Sequence, residues 1–215
     1  MDDEDKKSSS SIKITLIGDS AVGKTCIITR YTLNEFNPES LSLTTNGVAY
    51  SKKEIIHGNK VVHLDVWDTA GQEKYRSLGK HFYKDSFIVI LVYSITKRET
   101  FENLKNVWMK EVIDHGEKCK VLAVVGNKCD LYEQEAVPEE DARKFALEHD
   151  AIFMNVSAKD GTNIDLLFET CVKKYFEPTF QLNIVEEKKR DEKSVKIRKN
   201  SKAKHMGKAK KKCCN

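Results

Sequence analysis

Seven consecutive apolar residues, 87–93 (FIVILVY), constrain this chain more than any other stretch. The run is the longest uninterrupted one and falls far short of the roughly 20 residues that a bilayer span requires. It is also too continuous for a strand with one solvated face, where apolar and polar residues alternate. A strand at 87–95 covered on both faces meets both conditions, and such strands belong to sheets flanked by helices.

The remaining pattern fits that frame. A β-branched run at 12–17 ends in Gly18 and precedes helical character at 24–31. Residues 34–46 are polar, contain Pro38 and read as an exposed loop. Residues 48–56 and 60–68 are strand-like, and His57, Gly58 and Asn59 between them suit a hairpin turn. A short helix is expected near 78–83. The segment 98–115 places Phe101, Leu104, Val107, Trp108, Val112 and His115 largely on one side of a helix. A buried strand at 121–126, a helix at 138–149, a strand at 152–156 and a helix at 163–176 complete the order. This alternation predicts an α/β fold, a mixed but mostly parallel six-stranded sheet with right-handed crossovers and helices on both faces.

Charge divides the chain. The 215 residues carry 37 Lys+Arg and 33 Asp+Glu, a formal net of +4. Residues 186–215 hold 13 of the basic and 4 of the acidic residues, a net of +9, and leave the body at −5. The expected organisation is a polar extension at 1–11, one domain at 12–180 and a flexible basic tail at 181–215. The start, MDDEDKKSSSS, is acidic and polar and does not read as a signal peptide. Cys26, Cys119, Cys129 and Cys171 are isolated and show no metal-ligand or redox spacing, so a reduced, cytosolic environment is expected.

The informative residues follow the expected strands, where ligands bind in sheets of this kind. Gly18, Asp19, Ser20, Ala21, Val22, Gly23, Lys24 and Thr25 fit G-x-x-x-x-G-K-[ST] between a strand and a helix, the context of a phosphate-binding loop. The glycines let successive N–H groups face an anion, and the helix N-terminus adds its positive dipole end. Lys24 would reach the β- and γ-phosphates, and the Thr25 hydroxyl would ligate Mg²⁺. Asp68, at the end of the strand 61–67, is placed to hold the same Mg²⁺ through a water. In the loop that follows, Gly71 can bring its N–H to a γ-phosphate and Gln72 can orient an attacking water.

Asn127, Lys128, Cys129 and Asp130 follow the strand at 121–126. A carboxylate at Asp130 accepts two hydrogen bonds from guanine N1–H and the N2 amino group, a donor pair that adenine lacks. Lys128 can lie along the base plane, and Asn127 can tie this loop to the phosphate loop. Ser157, Ala158 and Lys159 close the last strand and could offer a backbone N–H to guanine O6.

The order GDSAVGKT, WDTAGQE, NKCD, SAK resembles the Ras-like small GTPases over residues 12–180, and WDTAGQE together with the C-terminal ending resembles the Rab branch. The resemblance implies a P-loop GTPase domain and a GTP/GDP switch that recruits effectors in vesicle traffic. It implies that Phe36 packs edge-on against guanine, that Cys26 joins the nucleotide-binding set, that Thr45 contacts Mg²⁺ and the γ-phosphate, and that Gln72 is the hydrolytic glutamine. Thr45 lies twenty residues after Thr25, where about eighteen is the family pattern, so this loop reads as two residues longer and Thr44 competes with Thr45. Asn46 and Ala49 stand where Rab proteins usually carry Ile and Asp, and Ser94 where Asp is common.

Ten basic residues and no acidic one lie between Lys193 and Lys212, ahead of Cys213, Cys214 and Asn215. The ending is not a CaaX box, which needs a cysteine at position 212. It resembles the double-cysteine endings of Rab proteins, which implies geranylgeranylation of Cys213 and Cys214. Two lipid chains beside lysines would hold an anionic membrane surface on the cytoplasmic face of intracellular membranes. The partners so implied are a GTPase-activating protein, an exchange factor, effector proteins and an escort chaperone. The alternatives are a scaffold that holds GTP without cycling and a GTPase whose tail binds nucleic acid; the tail lacks stacking aromatics, which weighs against the second.

Overall fold

The computed structural model describes residues 11–36, 49–69 and 84–180. The chain divides into two units, Met1–Phe180 and Gln181–Asn215, and every described residue belongs to the first. Six strands form one sheet: β1 (Ser11–Ile17), β2 (Ala49–His57), β3 (Lys60–Asp68), β4 (Ile88–Ser94), β5 (Val121–Asn127) and β6 (Ile152–Asn155). Their spatial order is β2-β3-β1-β4-β5-β6. Only the β2–β3 pair is antiparallel; all other neighbours run parallel. His57 pairs with Lys60 across the Gly58-Asn59 turn, where Gly58 takes the positive φ of 59° that a tight hairpin needs.

β4 lies near the middle, with β1 and β5 as neighbours, and all seven of its residues are buried. Val89, Leu91 and Tyr93 point to a core shared with Phe101, Leu104, Met109 and Phe145. Ile88, Ile90 and Val92 take the opposite parity and are equally buried. That face is covered by α1 (Lys24–Leu33) and the last helix, α4 (Ile164–Phe176). Tyr31 stacks on Phe168 with ring centroids 3.7 Å apart and 5° between planes.

The other face carries α3 (Glu139–Glu148) and a composite helix, α2. The latter runs as Arg98–Asn103 in α geometry, Leu104–Trp108 as a π turn, and Met109–His115 in α geometry again. Here the sequence expectation needs correction. A regular period of 3.6 from Leu104 puts Trp108 on the core side, but the buried apolar residues are Phe101, Leu104, Met109 and Val112. The π turn absorbs one extra residue, so Met109 takes the inward place and Trp108 is only half-buried. Val107 and His115, also expected inward, are half-buried. The strand, helix and hairpin expectations otherwise agree with the elements to within two residues. The helix expected near 78–83 lies outside the described residues. After β5 the chain forms a 3₁₀ segment, Cys129–Gln134.

Candidate nucleotide site

Strand register brings the ends of five strands to one edge of the sheet, that of their carboxyl ends. Leu16 of β1 stands opposite Asp68 of β3, Ser94 of β4 opposite Asn127 of β5, and Gly126 of β5 opposite Asn155 of β6. The loops leaving these strand ends converge, as parallel sheets require.

The loop after β1 cannot be built without its glycines. Gly18 has φ 144°, and a Cβ there would strike the Val92 carbonyl of β4; Gly23 has φ 98°, and a Cβ would strike the Asn127 amide. Gly23 is also the N-cap of α1, and the helix begins at Lys24 with its first N–H groups directed at the loop. Lys24 is buried, 3% exposed. Its Nζ donates to the carbonyls of Gly18 at 2.7 Å and Asp19 at 2.8 Å, which offsets the cost of taking an ammonium out of water.

Asp68 continues the inward-facing series Val62, Leu64, Val66 of β3 and is 1% exposed. Thr25 Oγ1 donates to Asp68 Oδ2 at 2.6 Å, so the two residues expected to share a cation are already adjacent. They present hard oxygen donors. Among the described residues no group of three or more His, Cys, Asp or Glu side chains is placed to hold a metal ion. One carboxylate and one hydroxyl suit a cation that keeps waters and takes its other ligands from phosphate. Next along the chain, Thr69 Oγ1 donates to the Leu16 carbonyl at 2.7 Å.

The loop after β5 is tied to the phosphate loop at two points. Asn127 Nδ2 donates to the Val22 carbonyl at 2.8 Å, and Lys128 Nζ to the Ala21 carbonyl at 2.9 Å. Ala21 and Lys128 both have positive φ, 61° and 69°. Such strain in non-glycine residues costs about 1–3 kcal/mol each and persists only where the surroundings enforce it; here the two strained residues hold each other. Burial moves the Lys128 ammonium below its ordinary value, with Lys97 adding a smaller repulsion in the same direction.

Asp130 is oriented from the loop after β6. Ser157 Oγ donates to its Oδ1 at 2.8 Å, and Lys159 Nζ lies 3.7 Å from Oδ2. The Ala158 N–H donates to Asn127 Oδ1 at 3.3 Å. Arg30 of α1, which the sequence reading did not single out, donates from Nε to the Ala158 carbonyl at 2.9 Å and from Nη2 to that of Lys159 at 2.7 Å. Burial raises the Cys26 thiol and pushes that of Cys129 up to about 12, so neither is a thiolate at neutral pH. Phe36 is half-buried, three residues beyond α1. Ser20 is exposed on the rim of the phosphate loop. Thr44, Thr45, Gly71, Gln72, Cys213 and Cys214 lie outside the described residues.

This arrangement combines an anion-binding loop, a buried lysine, a hydroxyl–carboxylate pair and a second loop with an oriented carboxylate. The Ras family matches residues 13–177 of the chain. Human "Ras-related protein Rab-25" is 42% identical over 164 residues, covering 76% of this chain and 76% of its own length. "Ras-related protein Rab11A" of Lotus japonicus is 41% identical over 164 residues, 76% of this chain and 71% of its own. "Ras-related protein RABA4d" of Arabidopsis thaliana is likewise 41% identical over 164 residues. The chain therefore belongs to the Ras family and, within it, to the Rab-like small GTPases, enzymes that bind GTP and GDP, hydrolyse GTP and act as switches in vesicle traffic.

Proposed function

We propose that this GTPase selects guanine through Asp130, holds the polyphosphate on residues 18–25 and cycles under the control of partners. The observation that carries the reading is the convergence of the phosphate loop, the Thr25–Asp68 pair and the Asn127–Asp130 loop at one sheet edge. Backbone N–H groups of the loop and the Lys24 ammonium stabilise the β- and γ-phosphates. Thr25, Asp68 and Thr45 (or its neighbour Thr44) would hold Mg²⁺, which when bound neutralises charge on the phosphate oxygens. Gln72 orients the attacking water, and Gly71 with Thr45 senses the γ-phosphate. Two loops, at about 36–47 and 69–80, tighten on GTP and relax on hydrolysis.

Hydrolysis is slow in the isolated chain and accelerated by a GTPase-activating protein, while an exchange factor reloads GTP. Geranylgeranyl groups on Cys213 and Cys214, with the basic tail, anchor the protein on the cytoplasmic face of intracellular membranes, and an escort chaperone shields the lipids in the cytosol. Single-turnover hydrolysis of GTP by wild type and Gln72→Leu tests the chemistry: a fall of at least tenfold is expected, and an equal rate would remove Gln72 from its role. Intact-mass measurement of the native protein tests the anchor, with two prenyl additions expected and none counting against it.

A further inference from the structure

Asp19 places an anion inside a loop that has to receive polyphosphate. Both of its carboxylate oxygens are engaged by α2: Asn103 Nδ2 donates to Oδ2 at 2.7 Å and Trp108 Nε1 donates to Oδ1 at 2.8 Å. The backbone carbonyl of the same residue accepts from Lys24 Nζ, so Asp19 connects α2 directly to the lysine of the phosphate loop.

Asn103 and Trp108 are five residues apart. In a regular α-helix, at about 100° per residue, they would sit roughly 140° apart around the axis and could not meet at one carboxylate. The π turn Leu104–Trp108 brings them together, with the Met109 N–H bonded to the Leu104 carbonyl five residues back. Such turns are rare and are frequently found at functional sites. This one keeps Met109 and Val112 in the core while it aims two neutral donors at Asp19.

We propose that Asn103 and Trp108 are positioning residues for the phosphate loop, acting through Asp19, and that the π turn is the feature that aims both at one carboxylate. The proposal rests on the reading of residues 18–25 as the phosphate-binding loop. Two donors turn the Asp19 charge toward α2 and hold its carbonyl under Lys24. Loss of either donor frees the carboxylate to swing toward the phosphates, where like charges repel, and loosens the carbonyl that orients Lys24. The effect therefore falls on nucleotide retention.

The test uses the full chain loaded with N-methylanthraniloyl-GDP and chased with excess GDP. Trp108→Phe, which keeps a ring and removes the N–H, and Asn103→Leu should each speed release roughly 10-fold. Adding either to Asp19→Ala should change release by less than about twofold, because the shared carboxylate is already gone. Urea midpoints measured alongside separate positioning from general loosening, since a merely structural role would move the midpoint and act independently of Asp19. Unchanged release in Trp108→Phe, or additive effects in the Asp19→Ala background, would overturn the proposal. Should Asn103→Leu fail to fold, Trp108→Phe and its combination with Asp19→Ala decide the matter alone. A wild-type chain that retains no GDP would overturn the reading of the loop itself and the proposal with it.

Discussion

The two halves of the site are held by different kinds of contact. In the half proposed to hold phosphate, all parts but Asp68 lie within residues 18–25: Gly18, Gly23 and Lys24 form a loop whose lysine bonds its own carbonyls, and Lys24 and Asp68 are almost wholly buried. In the half proposed to hold the base, every orienting contact comes from another segment of the chain. Asp130 takes its hydrogen bond from Ser157, Ala158 is tied down by Arg30, and Asn127 reaches Val22. A local, buried construction resists single changes except at its centre. A distributed one spreads its strength over several buried and part-buried hydrogen bonds, each worth about 0.5–1.5 kcal/mol.

The largest expected effect is at Lys24. Lys24→Ala removes the buried cation and leaves the Gly18 and Asp19 carbonyls without it, and GDP affinity should fall at least roughly 100-fold, about 3 kcal/mol. Displacement of a fluorescent GDP measures it; a loss under tenfold would mean that the phosphate half does not depend on its centre. Asp130→Ala should leave phosphate binding in place and reduce the preference for GDP over ADP by roughly 100-fold. Competition between the two nucleotides reads this, and an unaltered preference would place base selection elsewhere. Ser157→Ala removes only the hydroxyl that orients Asp130, so GDP affinity should weaken about fivefold, near 1 kcal/mol. A loss as large as that of Asp130→Ala would show that the base half is as centralised as the phosphate half.

The smallest effect is expected from deletion of Asn106, an exposed residue within the π turn. With one residue fewer, Asn103 and the tryptophan become four apart and share a face of an ordinary helix. GDP release should stay within about twofold of wild type, with a urea midpoint unchanged or raised. Release as fast as that of Trp108→Phe would show that the π geometry itself, beyond the alignment of two donors, sets the loop.

Much of this was legible in the residues. The run at 87–93 indicated a central strand, and every residue of β4 is buried. The hairpin followed from His57-Gly58-Asn59, because two strand-like runs joined by a glycine turn leave few other solutions. The motif residues 18–25, 68, 127–130 and 157–159 were all named from type and position, and the described structure brings them to one edge. The π turn was not legible. Its residues, LKNVW, have ordinary helix character, and the extra residue shows only in which side chains reach the core. Arg30 was hidden for a similar reason: an arginine in the last turn of a helix reads as a dipole-compensating surface charge, and its bonds to Ala158 and Lys159 span more than a hundred residues.

What the sequence determined by itself is what local chemistry decides: which segments extend, which coil, where a glycine is needed for positive φ, and which residue types could face a phosphate or a guanine. The tertiary structure decided the rest. The order β2-β3-β1-β4-β5-β6 depends on pairing between strands remote in the chain, and only that order sets Thr25 against Asp68 and Ser157 against Asp130. The role of Asp19 was decided in the same way. Its sequence neighbours mark it as part of a phosphate loop, whereas its two hydrogen-bond partners come from a helix more than eighty residues away, aligned by a change of helical period that hydrophobic spacing does not reveal.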